Sequence, residues 1–280
     1  MTTVASDLAE EHIQPVNPTE NAYPTLTQIW MLVGVFILAQ IPAAIPMIGL
    51  KAVADNYGLP FLDTIGQTLA YTLGMMLTIW YAFRKRGSRA LSFASVPVSA
   101  YLVSAVGLIA MGVLAEPIVS AIPMPDAVQE MIKKMFNKNM VVSAVIAAPI
   151  LEEILFRGII LDGLLKNYRP TKAIIWSGVI FGLIHLIPAQ ALNAAFIGIA
   201  LGWLYYRTRS LTLCMFLHFV NNGLSSLTLL TDEALDMSQN QTREWMGSDL
   251  MYGTLLIGCL LTCLVSYRYL NRILPTVQIN

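Results

Sequence analysis

Eight stretches of the chain are apolar with little interruption, near residues 29–50, 64–83, 98–119, 140–165, 173–187, 191–206, 210–230 and 251–270, with polar connectors between them. A run of about 20 apolar residues is long enough to cross the hydrocarbon core of a bilayer as a helix. The pattern therefore predicts an all-α, polytopic transmembrane helical bundle of about eight spans. The fifth and sixth stretches are short, and Pro188 between them fits either two spans or a re-entrant hairpin. Between the third and fourth, Val128, Met131, Ile132, Met135 and Phe136 recur at helical spacing among Glu130, Lys133, Lys134 and Lys138. That is the pattern of an amphipathic helix lying on the bilayer surface, or of a simple connector.

Residues 1–28 break the apolar theme. They carry Asp7, Glu10, Glu11 and Glu20 without sustained periodicity, which predicts a disordered tail in which His12 is solvated. The tail has no Lys or Arg, so the first apolar run lacks the basic leader of a cleavable signal peptide and is expected to stay in the mature chain. Residues 29–272 then read as one membrane-embedded domain without internal repeats, followed by a short tail at 273–280.

Composition strengthens this picture. Hydrophobic residues make up 56% of the chain and charged residues 12%, and the mean hydropathy is +0.64; an ordinary soluble domain carries about 25% charge. The formal net charge is zero, which provides no basic field for nucleic acid. Cys214, Cys259 and Cys263 fall inside predicted spans without metal-finger spacing and read as small apolar residues.

The Lys and Arg residues give an orientation. Eleven of the 17 follow spans two, four, six and eight, five lie on the other side, and Arg157 sits inside span four. The side richer in Lys and Arg faces the cytoplasm, so both termini are expected there, in what reads as a bacterial cell membrane.

Against that apolar background the run Ala148–Gly158 stands out, because it holds Glu152, Glu153 and Arg157. Each ionised group at a helix centre costs about 2.5–3.5 kcal/mol even on the lenient insertion scale. Residues four apart share a helix face, so Glu153 reaches Arg157 while Glu152 projects about 100° away without a partner. His218 and Asn222 are also four apart in span seven, and Phe181 and His185 repeat the spacing in span five. At about 1.5 Å per residue, Glu152 lies ~18 Å below the outer end of its span, His185 ~18 Å and His218 ~12 Å above the inner ends of theirs. All three depths fall in the middle third of the membrane, where they are expected to meet in one polar pocket. A carboxylate without a partner suits a general base that takes a proton from water, a neutral His beside it orients that water, and His with Asn donates to a developing oxyanion. This is an inventory for peptide hydrolysis without a Ser or Cys nucleophile. The Phe181 ring by itself reads as core.

Glu152-Glu153-x-x-x-Arg157, Phe181-x-x-x-His185 and His218-x-x-x-Asn222 together resemble the three motifs of the CPBP intramembrane proteases, the Abi or CAAX-protease-like family. The resemblance spans about residues 140–225. It implies an eight-helix membrane fold and a glutamate-type endopeptidase. It implies further that Glu152 activates water with help from His185, that His218 and Asn222 form the oxyanion hole, and that Glu153, Arg157 and Phe181 structure the site. Substrates in such a family are membrane-associated peptides or lipidated proteins, among them prenylated CAAX proteins and bacteriocin or signal peptides. No metal or other cofactor is implied.

Two alternatives stand beside this reading. A zinc metalloprotease would use the same Glu, His and Asn residues, although the chain has no HExxH and a catalytic zinc takes three good protein ligands. A non-catalytic immunity factor or peptide-binding scaffold would use Glu152 as a ligand site; it has no need for two histidines and an asparagine at the same depth.

Overall fold

The computed structural model describes residues 22–135, 141–230 and 240–274, and all the regular structure among them is helical. Among the described residues eleven α-helices follow one another: α1 (Leu26–Tyr57), α2 (Phe61–Arg86), α3 (Val98–Val119), α4 (Asp126–Met135), α5 (Ala148–Glu153), α6 (Asp162–Asn167), α7 (Pro170–Leu183), α8 (Pro188–Thr208), α9 (Leu211–Leu230), α10 (Gln241–Met246) and α11 (Asp249–Ile273). Two π-helical stretches, Ser143–Ala147 and Ile154–Leu161, run directly into α5 and α6, so 143–167 forms one continuous rod. An isolated bridge between Phe93 and Ser210 is the sole extended pairing among the described residues.

This is a polytopic transmembrane helical bundle. By length and composition α1, α3 and α11 each suffice to cross a membrane, and α7 is a shorter apolar helix. The outward faces of these long helices are apolar, with Ile41, Val98 and Val265 exposed. Such faces are stable only against lipid. Inside, Phe156, Ile159, Leu161 and Leu164 of the rod pack with Ile29, Met75, Ile180, Tyr205 and Leu211 of the surrounding helices. The rod that carries the charged cluster is therefore the centre of the core.

The start of the bundle differs from the expected tail. Asn167 Nδ2 donates to the carbonyl of Ala22 and accepts through Oδ1 from its N–H at 3.0 Å, Tyr168 Oη accepts from Leu26 N–H, and Thr25 with Gln28 forms a capping box on α1. Residues 22–28 are thus fastened to the end of the rod. Residues 1–21, including His12, lie outside the described residues, as do Phe136 and Lys138 of the expected amphipathic segment and the tail at 275–280. The helix α4 coincides with the first part of that segment.

The face bearing Arg and Lys is knit together by Asp162, which the sequence leaves alone. Its carboxylate accepts from Arg86 at 3.1 Å, Arg209 at 3.0 Å and Lys166 at 2.8 Å, and Arg86 also donates to the Gly158 carbonyl at 2.7 Å. One carboxylate thereby joins α2, the rod and the α8–α9 turn. At the opposite face, Glu116 of α3 accepts from the Thr242 N–H of α10 at 2.9 Å.

Helices α7 and α8 form a tight hairpin. A Cβ on Gly178 would lie 2.7 Å from the Ile199 nitrogen, and one on Gly182 only 2.3 Å from the Ala191 carbonyl oxygen. The absent side chains set the contact distance. At 14 residues α7 rises about 21 Å, short of a core of about 30 Å, and it ends at Leu183 instead of continuing to 187. Leu186 then takes a left-handed conformation, φ 62°, where a side chain at Cβ is strained. Ile187 is extended ahead of Pro188, as the ring requires.

Candidate active site

The rod brings Glu152, Glu153 and Arg157 into the interior, where they are 8%, 0% and 1% exposed. As the i,i+4 spacing predicts, Arg157 Nη1 donates to Glu153 Oε1 at 2.7 Å. Nη2 donates to the Gly198 carbonyl at 3.1 Å, the group lies 4.8 Å above the centre of the Phe181 ring, and Nε is buried without a hydrogen-bond partner. Gly198 reaches this position because it packs on Gly178, where a Cβ would meet Gly178 Cα at 2.9 Å.

Glu153 has a second partner. His218, 3% exposed, places Nδ1 2.8 Å from Glu153 Oε1. A carboxylate paired with Arg157 only accepts, so Nδ1 of His218 carries a proton, and its Nε2 is the edge left for other chemistry. That edge points to Glu152, with Nε2 3.9 Å from Oε2. His218 thus holds Glu153 through Nδ1 and turns Nε2 toward Glu152, beyond hydrogen-bond distance.

Glu152 is not without a partner. Tyr71, on α2, donates from Oη to Glu152 Oε1 at 2.7 Å. The motif spacing gave no sign of this residue. A signal was present: a tyrosine about 15 Å inside its helix, away from the interfacial positions that tyrosines favour in membranes, needs a buried acceptor.

His185 does not meet Glu152. It lies in the turn beyond α7, where its Nδ1 faces the Phe181 carbonyl at 2.8 Å. That carbonyl only accepts, so His185 also carries its proton on Nδ1. Phe181 stands between the two histidines, with its ring 5.1 Å from His185 and 5.7 Å from His218 in edge-on contacts, and 4.9 Å from Phe156. It is buried, yet it fixes both imidazoles and the guanidinium. Asn222, one turn beyond His218, donates from Nδ2 to the Ala144 carbonyl at 2.9 Å and accepts through Oδ1 from Asn221.

A cavity of about 270 Å³ has Phe181, His185, His218 and Asn222 in its wall. Glu152 is not in that wall; it sits on the far side of His218, toward α2. Among the described residues no three His, Cys, Asp or Glu side chains are grouped as metal ligands. The expected single pocket is therefore two adjoining parts: a buried acid pair beside His218, and a polar cavity that His218 also faces.

Comparison with known proteins agrees with the motifs. A family model described as Type II CAAX prenyl endopeptidase Rce1-like matches residues 136–224, a segment that holds every motif residue and not Tyr71. A Bacillus subtilis (strain 168) protein bearing the name "Putative membrane peptidase YdiL" is 35% identical over 83 residues, 30% of this chain. The chain spans only 34% of that relative's length. No solved structure matches. Over residues 136–224 the chain is similar to the Rce1-like endopeptidases, in line with its three motifs.

Proposed function

We propose that the protein is an intramembrane endopeptidase in which Glu152 is the base that activates water. The observation that carries this reading is the setting of Glu152: a buried carboxylate with one oxygen bound by Tyr71 and the other 3.9 Å from the Nε2 of His218. Arg157 neutralises Glu153 and not Glu152, so one acid is structural and the other is available for proton transfer.

In the proposed reaction, water bound between Glu152 Oε2 and His218 gives a proton to the carboxylate as its oxygen attacks the scissile carbonyl carbon. The new C–O bond leaves negative charge on the carbonyl oxygen. The second N–H of Asn222, in the cavity wall, stabilises that charge. The intermediate then collapses, the C–N bond breaks, and the proton held by Glu152 passes to the leaving amine through the His218 edge. His185 stands across Phe181 and acts on the substrate from the cavity side. Glu153, Arg157 and Phe181 hold His218 in the required tautomer and direction.

The substrate on this reading is a membrane-associated peptide, of the prenylated CAAX type or a bacteriocin or signal peptide, and the reaction needs no metal. The protein sits in a bacterial cell membrane with both termini in the cytoplasm, as the distribution of Lys and Arg supports. Reconstituted protein tests the reading. Glu152→Gln keeps the size of the side chain and an acceptor for Tyr71 while removing the base. Cleavage of a membrane-embedded substrate is expected to fall by several decades with folded yield maintained, and parent activity is expected to survive a chelator. Cleavage by Glu152→Gln at the parent rate would sink the assignment.

A further inference from the structure

The polar cavity lies between the end of α3, the start of α8, the second half of α9 and the first residue of α10. Five carboxamides line it: Gln190, Asn193, Asn221, Asn222 and Gln241. A carboxamide both donates and accepts, which is what a peptide main chain offers in return. The lining also grades from buried to open. His218 at the inner end is 3% exposed, the carboxamides are half-buried, and Ser225 is exposed.

The open end has a definite side. Glu116 and Gln241 belong to the face where α3 ends and α10 begins, joined by the Thr242 to Glu116 bond. The face built on Asp162, Arg86, Lys166 and Arg209 is at the other end of the same helices. A second cavity, of about 610 Å³, lies toward that Arg-rich face between α2 and the rod. It is walled mainly by apolar side chains such as Trp80, Phe83, Leu151 and Ile154, and neither histidine borders it. The histidines are thus reached through the carboxamide-lined passage.

We infer that this passage admits an unlipidated, water-exposed stretch of peptide from the face opposite the arginines, which the distribution of Lys and Arg makes the extracytoplasmic side. The inference rests on the peptidase reading and adds to it the side of entry and the substrate class. An isoprenyl chain makes no hydrogen bonds, and seating it here would leave the carboxamides unpaired. A peptide main chain pairs with them.

Cysteine labelling tests the side of entry without requiring catalysis. In a Cys259→Ser, Cys263→Ser background, with Cys214 fully buried, single Asn193→Cys and Ser88→Cys variants are treated with a membrane-impermeant maleimide. Asn193→Cys is expected to react at least tenfold faster in intact cells than in sealed inverted vesicles, and Ser88→Cys, on the arginine side, the other way round. Gln190→Cys replaces Asn193→Cys if the latter does not accumulate. Reaction of the passage cysteine from the arginine side alone overturns the entry route. Substrate class is tested on detergent-solubilised Glu152→Gln protein bearing the same cysteine. A cysteine-free pool of unlipidated decapeptides is expected to slow labelling at least tenfold. Failure of that pool to protect, or protection only by farnesylated peptides, overturns the substrate class. If the parent protein cleaves no peptide while labelling and protection behave as expected, the peptidase reading falls and the passage stands.

Discussion

Replacing Arg157 by Met isolates what the buried ion pair contributes. The substitution keeps an unbranched side chain of similar reach but removes the 2.7 Å bond to Glu153, the 3.1 Å bond to the Gly198 carbonyl and the cation over Phe181. Glu153, with no exposure to solvent, then keeps His218 as its one polar partner. Removing one member of a buried pair costs about 3–5 kcal/mol, because the other charge stays buried. At 1.36 kcal/mol per decade this moves the folding equilibrium by roughly two to four decades, a large part of a total stability of about 5–15 kcal/mol. Adding Glu153→Gln removes the stranded charge while leaving an acceptor for the His218 Nδ1–H. Replacing both partners of a buried pair is close to neutral, so the double variant is expected to recover most of the loss. Unfolding in mixed micelles, followed by far-ultraviolet circular dichroism, measures both. A single variant as stable as the parent, or a double variant as unstable as the sum of the two singles, would refute the reasoning.

Three further outcomes are expected. Tyr71→Phe removes the donor that holds Glu152 Oε1; a hydrogen bond to a charged group is worth about 1.5–3 kcal/mol, so cleavage should slow roughly ten- to a hundredfold with yield unchanged, and an unaltered rate would remove Tyr71 from the site. Gly182→Ala places a Cβ against the Ala191 carbonyl oxygen, whereas Gly112→Ala meets nothing within 4 Å. The first should cost about 1–3 kcal/mol by overpacking and disturb His185, the second should be close to neutral, and equal melting temperatures would contradict the hairpin packing. Arg86→Ala breaks bonds to both Asp162 and Gly158, while Lys166→Ala loses one exposed pair. Only the former should lower thermal stability measurably, since exposed pairs contribute about 0–1 kcal/mol.

Where a feature depends on spacing along one helix, the sequence was a good guide. Glu153 and Arg157 meet because i and i+4 share a face. Features that depend on how helices rotate against one another were not legible. Tyr71 is separated from Glu152 by 81 residues, and although its depth in α2 calls for a buried acceptor, nothing local marks that acceptor as Glu152. Depth alone placed His185 and His218 on the same level as Glu152; it did not reveal that the Phe181 ring stands between the histidines or that His218 turns its Nδ1 to Glu153. The end of α7 was blurred for a different reason. Ile184 to Ile187 are apolar apart from His185, so hydropathy runs on through a turn that Gly182 and Pro188 already punctuate. Asp162 looked isolated because two of its three partners, Arg86 and Arg209, come from other elements.

The central claim is that Glu152 cuts peptide bonds in the membrane. It is tested most directly by comparing the peptides released by cells that contain equal amounts of the parent protein and of Glu152→Gln, by mass spectrometry of the medium and the membrane fraction. A defined set of peptides with shared cleavage sites, present with the parent and absent with Glu152→Gln, is the predicted result. Identical peptide sets from the two would contradict the account.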